Sequence, residues 1–332
     1  MFLLVSSEDK KCNHFSHILH IYLRSMEDFQ NLTATSVTLA ESRFLFGVTI
    51  IVMLAAFCGN TILIVSILRK EALRHSSNFL LANIALSDLL TTLFGMPSFG
   101  VRLLWPDFLP SREIFCKICL FLFITCTSSS LTTLQCLSFN RYLMITKPRF
   151  VFDRFFSKKK TIVMVAMIWV WSGTSIYMTI FVCGTMENTQ TLHGCYFKEG
   201  DLRSWVCLSV VLVISVIACL IIMPTFFFLT LVTIRKSRNR VGNSQTSGVN
   251  QGSFSKEEVV ITKMMIVILI LFIICWIPYS TVHFINFRKL HSSRLNFIVA
   301  TFTLMNTAIN PVICIWFYKP IQRSIYEMIS LN

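Results

Sequence analysis

Seven long apolar stretches divide this chain, and they constrain its fold more than any other feature of the sequence. A helix needs about 20 consecutive, mostly apolar residues to cross a membrane. The stretches that meet this requirement are Phe44–Leu68, Phe79–Leu103, Phe115–Ile145, Thr161–Cys183, Trp205–Ile234, Val259–Phe287 and Leu295–Phe317. The sequence therefore predicts an all-α membrane protein, a seven-transmembrane helix bundle whose segments are called the first to seventh spans below.

Composition supports the membrane class. Hydrophobic residues make up 54% of the chain and charged residues 14%, whereas soluble proteins contain about 25% charged residues. After the seventh span, Lys319–Ser330 is amphipathic and predicts a short eighth helix lying on the membrane face. The predicted organisation is an extracellular tail at residues 1–43, the membrane bundle at 44–317, and the amphipathic helix with a short cytoplasmic tail at 318–332.

The distribution of Lys and Arg predicts the orientation. These residues are about twice as frequent in the segments that follow the first, third and fifth spans and the C-terminal tail as in the loops on the other side. Cytoplasmic loops carry the excess of positive charge, so we expect an extracellular N-terminus, a cytoplasmic C-terminus and a multi-pass protein of the plasma membrane. The same asymmetry accounts for most of the net charge of +14. Membrane lipids, and not nucleic acid, are therefore the expected non-protein partners.

The N-terminal tail carries one modification signal. Asn31-Leu32-Thr33 is a glycosylation sequon, and the predicted topology places Asn31 on the outer side, where glycosylation occurs. No convincing secretory signal precedes it, and the first span can itself direct membrane insertion. Met26 is an alternative start site.

Two of the twelve cysteines differ from the rest in position. Most lie inside apolar spans, where a thiol acts as a small hydrophobic group. Cys116 lies at the outer end of the third span and Cys195 in the loop after the fourth, so both face an oxidising compartment in which a disulfide persists. We predict a Cys116–Cys195 bridge. Cys183 and Cys207 could also pair, although free thiols are the expectation there.

Each span also contains a short motif that is weak when taken alone. A proline in a span is often only a kink, and an asparagine often only links helices. The motifs are Gly59-Asn60, Asn83 to Asp88, Asn140-Arg141-Tyr142, Trp169, Pro224, Cys275 to Pro278, and Asn306 to Pro311. In this order, and over Phe44 to Ser330, they make the chain resemble the rhodopsin-like, class A, G protein-coupled receptors.

The resemblance implies a heterotrimeric G protein as partner, an extracellular ligand of unknown identity, and a restraint on Arg141. In the family, this arginine beside Tyr142 is held by a neighbouring acid and by a glutamate on the sixth span. Asn140 replaces the first acid, as in melatonin receptors, and Glu258 matches the second. Glu258 is therefore expected to carry more of the restraint here.

The resemblance also implies two groups of residues inside the bundle. The residues that match a sodium site, where the ion acts as an allosteric modulator, are Asp88, Ser130, Trp276, Asn306 and Asn310. A carboxylate within the bilayer needs a cation or hydrogen-bond donors, and a protonated, hydrogen-bonded Asp88 is the alternative. The residues that match the activation switch are Leu131, Pro224, Phe272, Trp276, Pro278 and Pro311, although Leu131 and Phe272 would be core residues in any bundle.

Three positions depart from the family pattern. Cys314 and Val232 stand where the family has two tyrosines that approach each other in the active state. The two tyrosines act as a pair in the family, so the loss of one is consistent with the loss of the other. Without them, the usual activation relay is not expected in this chain. In the second inner loop, Arg149 follows Pro148 where the family has an apolar residue, which makes an atypical G protein contact conceivable.

The ligand pocket is expected to open outward among the third, fifth, sixth and seventh spans. Phe123 stands where amine receptors carry an aspartate, and Leu304 where opsins carry the retinal-binding lysine, so neither an amine nor retinal is expected as ligand. The predicted pocket is aromatic and mostly apolar, as small-molecule sites are. Its residues are Phe123, Thr127, Tyr279, His283, Asn286 and Leu304, together with the fifth-span face of Val216 and Leu220.

Other classes of function have less support in the sequence. The chain contains no Gly-rich phosphate loop, His-Glu-x-x-His helix or Gly-x-Ser-x-Gly elbow, so no enzymatic activity, catalytic residue or organic cofactor is predicted. An ion-coupled membrane transporter is the alternative, because Asp88 and broken helices could serve ion coupling. Transporters usually contain internal repeats, which the seven-span pattern does not show.

Overall fold

Seven membrane-length helices form the body of the protein. The computed structural model describes residues 37–105, 113–184, 186–189, 194–197, 201–243, 256–286 and 293–330, and within these ranges seven helices are long and apolar enough to cross a membrane. In chain order the helices are Leu39–Arg69, Ser76–Leu104, Glu113–Thr146, Lys158–Cys183, 202–243, Lys256–Asn286 and Ser293–Phe317. The predicted seven-helix bundle is confirmed. The sequon at Asn31, Met26 and Phe287 lie outside the described residues.

The first helix begins at Leu39, five residues before the predicted start of the first span. Thr38 is its N-cap: its hydroxyl accepts from the Glu41 amide at 3.3 Å, and the Glu41 carboxylate accepts from the Thr38 amide at 3.1 Å. Such a capping box satisfies amides that have no partner inside the helix. Glu41 also pairs with Arg294, which ties the outer ends of the first and seventh spans together. Polar capping, rather than hydropathy, therefore sets this boundary.

Lipid-facing and core-facing residues are separated around the bundle. Bulky apolar side chains such as Phe44, Ile51 and Val170 are exposed on the outer faces, as expected where lipid replaces water. A large apolar core fills the inner half of the bundle, and Leu137 and Met264 are fully buried in it. The solvent for the outer faces is thus hydrocarbon, and polar side chains concentrate between the helices.

A chain of hydrogen bonds joins the second, third and fourth spans. The Asn83 amide donates to the Thr133 hydroxyl at 2.7 Å, and the Trp169 indole donates to the Asn83 carbonyl oxygen at 2.9 Å. Such interhelical bonds contribute about 0.6 to 2 kcal/mol each in membranes. Asn83 and Trp169, each from a span motif, are therefore hydrogen-bonded to each other, and Asn83 also links their two helices to the third span.

Three spans contain a short π-helical turn that hydropathy does not reveal. The turns are Thr91–Gly95, Met178–Cys183 and Ala218–Ile222. A π turn adds a residue to the helical repeat and often lies at functional sites. In the first of them, a Cβ on Gly95 would stand 2.9 Å from the Phe123 ring, so the missing side chain lets the second span approach this pocket residue.

Shorter elements join the spans. A helix, Arg149–Phe155, follows the third span, and two antiparallel strands, Met186–Thr189 and Gly194–Phe197, lie between the fourth and fifth. None of these was predicted from the sequence, because each is too short to give a clear periodic pattern.

The predicted eighth helix is confirmed at Lys319–Ser330. It is amphipathic: Ile321 is fully buried against the bundle, whereas Tyr326 is 74% exposed. Glu327 forms a 2.6 Å ion pair with Lys70 of the loop after the first span. Ser324 donates to the Ser66 carbonyl at 3.4 Å. The helix is thus fixed against the inner end of the first span.

Candidate functional site

A cavity lies among the third, fourth, fifth and sixth spans. Phe123, Thr127 and Tyr279, which the sequence predicted as pocket residues, line it. Leu304 does not belong to its described lining and lies beside a smaller cavity instead. The side chains of His283 and Asn286 lie outside the described residues. The seventh span packs mainly against the first and sixth, which explains why the cavity extends toward the fourth and fifth spans.

The wall of this cavity is apolar, with a few hydroxyl groups. Ser128, Ser215 and Ser280 line it in addition to Thr127. The Thr127 hydroxyl donates to the Phe123 carbonyl at 3.0 Å, and the Ser215 hydroxyl donates to the Val211 carbonyl at 2.8 Å. Since both hydrogens are used within their own helices, these groups can only accept further bonds. Sequence reasoning missed the serines, because serine in a span gives no distinct signal.

Aromatic rings form one end of the cavity. The Trp276 ring stacks on Phe272, with 5.7 Å between centroids and 17° between planes, and meets Tyr279 edge-on at 5.7 Å. Phe272 and Leu131 also line the cavity and continue into the inner core. The predicted switch residues Leu131, Phe272 and Trp276 therefore lie together. Pro278 and Pro311 lie inside the sixth and seventh helices, and Pro224 follows the π turn of the fifth span.

A second, smaller cavity surrounds Asp88. Its lining includes Asp88, Ser130, Trp276 and Asn306. The Asn310 amide donates to the Asp88 carboxylate at 2.8 Å, and the Ser130 side chain also interacts with that carboxylate. All five residues of the predicted sodium site thus gather around one point, and Trp276 borders both cavities.

The donor set of this small cavity fits a monovalent cation. Asp88 is 2% exposed, and the amide oxygens of Asn306 and Asn310 are buried without a hydrogen-bond donor among the described residues. Buried polar atoms normally have a partner, and carboxylate, hydroxyl and amide oxygens are the ligands of hard cations. No group of three or more His, Cys, Asp or Glu side chains occurs in the described part of the chain. One carboxylate with neutral oxygens suits a singly charged ion.

At the inner end of the third span, Arg141 is only 1% exposed. One of its guanidinium nitrogens contacts the Met144 sulfur at 3.4 Å. The preceding Asn140 is tied to the second span: it accepts from the Ser77 hydroxyl at 2.7 Å and donates to the Ser76 hydroxyl at 3.4 Å. The side chain of Glu258 lies outside the described residues.

The second inner loop presents an aromatic side chain on its surface. In the helix Arg149–Phe155, Arg149 forms a 3.1 Å ion pair with Asp153 and its guanidinium lies 5.3 Å from the centre of the Phe152 ring. Phe150, the next residue, is 75% exposed. The second inner loop thus exposes an apolar side chain next to Arg149.

The outer hairpin brings Cys195 close to the third span at the level of the backbone. Its strands pair Asn188 with Cys195, and both strands contact the third span. The side chains of Cys116 and Cys195 lie outside the described residues, so the bridge stays a prediction. The other cysteines of the described spans, including Cys183 and Cys207, are free.

A tyrosine that the sequence pattern did not single out lies near Cys314, one of the two positions where the family has a tyrosine. Cys314 is buried, and Tyr318, one helical turn later, is buried as well. The Tyr318 hydroxyl lies 3.5 Å from the Asn78 amide nitrogen of the second span. The Tyr318 hydroxyl therefore contacts the second span at the inner end of the bundle. The sequence alone does not predict this contact, because the two residues are far apart along the chain.

Comparisons with known proteins agree with this architecture. The family model described as 7 transmembrane receptor (rhodopsin family) matches residues 59–314. A QRFP-like peptide receptor of Branchiostoma floridae is 26% identical over 275 residues, which are 80% of this chain and 71% of that receptor. Melatonin receptor type 1B-B of Danio rerio is 26% identical over 225 residues, 68% of this chain and 62% of that receptor. The crystal structure of squid rhodopsin matches with a TM-score of 0.75 at 18% identity, covering 90% of this chain and 87% of that one, and so shares the fold. Because the family model matches most of its length, this chain belongs to the rhodopsin family of seven-transmembrane receptors.

Proposed function

We propose that this protein is a receptor of the plasma membrane that relays an extracellular ligand signal to a heterotrimeric G protein. The observation that carries the proposal is the position of Trp276, which borders both the large cavity and the polar cavity around Asp88. A ligand that displaces this ring changes the packing beside Asn306 and Asp88. The signal then continues toward Arg141 through the inner core.

The relay is a shift between two packings of the same bundle. A ligand moves such an equilibrium only by binding one packing more tightly than the other. In the described packing Arg141 is buried and Asn140 is bonded to the second span. This arrangement is the inactive one, because a G protein cannot contact a covered arginine.

The G protein is expected at the face formed by Arg141, the second inner loop and the C-terminal helix. Phe150 offers an exposed apolar contact on that face, and aromatic residues are enriched at protein interfaces. The excess of Lys and Arg in the same loops supports a cytoplasmic location for this face and an extracellular N-terminus.

Sodium is proposed to bind at Asp88 and to stabilise the receptor. Asp88, Ser130, Asn306 and Asn310 would hold the ion, which would neutralise a carboxylate that is costly to bury alone. A ligand that binds only the folded state at tenfold its Kd adds roughly 1.4 kcal/mol of stability. Replacing NaCl by N-methylglucamine chloride at equal ionic strength should therefore lower the Tm of the purified receptor by a few degrees.

Asp88→Asn is expected to remove that sodium dependence. The asparagine keeps an acceptor for the Asn310 amide but lacks the charge, so the fold persists. Asp153→Asn is the matched control, because Asp153 is an exposed carboxylate paired with Arg149. A Tm that responds equally to sodium in all three proteins would place the ion elsewhere or nowhere.

The ligand is expected to be neither a biogenic amine nor retinal. Phe123 lines the large cavity and cannot neutralise an ammonium group, and Leu304 is a buried residue that cannot form an imine. A panel of amines should give no potent response in a second-messenger assay, and purified receptor with retinal should give no shifted absorbance band. A nanomolar amine response that survives replacement of every acidic outer residue would refute this reasoning. A response that depends on Glu113 or Glu187 would show that the cation is bound outside the cavity.

The same second-messenger panel tests the receptor function itself. Expression should produce ligand-dependent G protein activation for at least one compound class in a broad screen. The ion-coupled transporter, the alternative kept open by Asp88, receives no support from the family match. Substrate flux without any G protein response would favour it nevertheless.

A further inference from the structure

The large cavity reaches the lipid-facing surface of the bundle. Leu220 of the fifth span and Ile277 of the sixth both line it, yet their side chains are 47% and 48% exposed. Both helices are long and apolar enough to cross a membrane, so any part of these two residues that is exposed on the outer face of the bundle would meet the bilayer. We call the part of the cavity wall formed by Leu220 and Ile277 the lateral opening.

Helix packing explains why the opening lies at this place. The outer part of the fifth span, Leu202–Ile217, packs against the π turn Met178–Cys183 of the fourth span. Contact between the fifth and sixth spans occurs instead in the inner part, within Met223–Asn243. Leu220 lies in the π turn Ala218–Ile222 between these two parts. Among the described residues, the contacts between the fifth and sixth spans are therefore concentrated on the inner side of this turn.

The lining restricts the chemistry of any ligand. No Asp, Glu, Lys, Arg or His is found among the described residues that line the cavity. An ion buried there would lose its hydration without gaining a charged partner, which is strongly unfavourable. The Thr127 and Ser215 hydroxyls can only accept hydrogen bonds, as shown above. The Trp276 indole N–H is buried without an acceptor among the described residues, and the Ser128 and Ser280 hydroxyls also lie in the cavity wall.

We infer that the receptor takes a neutral, lipid-like ligand with one small polar group, and that this ligand enters from the bilayer through the lateral opening. The apolar body fills the space between the fourth, fifth and sixth spans, and the polar group bonds with Trp276 or a wall hydroxyl. This inference rests on the proposed receptor function for its biological meaning. The binding step itself does not require signalling.

Photolabelling of the purified receptor in phosphatidylcholine nanodiscs tests the ligand class. The probe is hexadecanol carrying a diazirine in its chain, and hexadecyltrimethylammonium with the same diazirine is its charged counterpart. Mass spectrometry of the labelled peptides should find the alcohol on buried cavity residues such as Leu131 and Cys219. The ammonium probe should label these positions roughly tenfold less, because the described lining of the cavity contains no counter-ion. Equal labelling by both probes would overturn the neutral class.

Bulk at the opening tests the route. The pair Leu220→Trp and Ile277→Trp should slow cavity labelling by roughly tenfold, since rigid side chains at a narrow gap block passage. The pair Leu220→Ala and Ile277→Ala should accelerate it, and it keeps the test valid if the tryptophan pair unfolds. Ile221→Trp and Ile274→Trp are matched controls, because Ile221 and Ile274 are equally lipid-exposed neighbours that do not line the cavity.

The outcomes separate cleanly. Label restricted to lipid-facing positions such as Ile221 and Ile274 would overturn the cavity as a lipid site. Cavity label that neither pair at the opening changes would show entry from the outer side. Loss of labelling with intact G protein activation contradicts this inference alone, and cavity labelling without any G protein activation contradicts the proposed function alone.

Discussion

Replacing Arg141 with alanine is expected to abolish G protein activation, while Glu258→Ala raises basal signalling and Asn140→Asp lowers it. A charge-assisted hydrogen bond between Arg141 and a carboxylate contributes roughly 1.5 to 3 kcal/mol, enough to change the ratio of inactive to active receptor about tenfold. Asn140 supplies no charge for that contact and bonds to Ser76 and Ser77 instead. Basal and stimulated second-messenger levels at matched surface expression measure all three effects.

Glu257→Ala is the control for this prediction, because it removes an adjacent acid from the same helical turn. If it raised basal activity and Glu258→Ala did not, the restraint would belong to Glu257. If neither variant changed it, a different contact holds the receptor inactive. Ser77→Ala adds a second readout: it removes the shorter of the two bonds to Asn140 and should raise basal activity without a change of charge.

Replacing Cys116 or Cys195 with alanine is expected to reduce surface expression sharply. A disulfide between them would fix the outer hairpin to the third span, and loss of a native disulfide costs roughly 2 to 5 kcal/mol. Total protein should fall less than surface protein, since misfolded receptor is retained inside the cell. Cys58→Ala is a suitable control, because Cys58 is an exposed, free cysteine of the first span. Normal surface levels and normal ligand response in both single variants would rule out the bridge.

The sequence predicts the spans well because the hydrocarbon of the bilayer requires the same thing of each span, a long and mostly apolar stretch. Apolar length is local information, so the seven helices and the amphipathic helix after them could be read along the chain. Their ends depend on other chemistry: the first helix starts at the Thr38 capping box, and the fifth extends to Asn243, beyond the predicted Ile234. Hydropathy does not record either feature.

The candidate site was predictable only where a motif marks it. Asp88, Asn306 and Asn310 stand in conspicuous polar motifs within apolar spans, and the structure places them together. Leu304, by contrast, was assigned to the ligand pocket from its place in the chain, and it lies beside Asp88 because the seventh span packs toward the first. Leu220, predicted on the fifth-span face of the pocket, lines the large cavity, whereas Ser215 lines it without any sequence signal. The rotation of a helix about its axis depends on its neighbours and not on its own residues.

The contact between Asn140 and the second span contains no group that titrates. Asparagine does not titrate, and His75, at the start of the second span, has its pKa lowered from 6.5 to about 4 by burial and by the nearby Arg141 charge. Between pH 6.5 and about 4, the unfolded chain therefore binds a proton at His75 and the folded chain does not. The stability that the neutral ring contributes is complete above pH 6.5 and is lost as the pH falls through about 4. Near neutrality neither residue changes its charge. Changes of pH near neutrality should thus leave the contact between Asn140 and the second span unaltered.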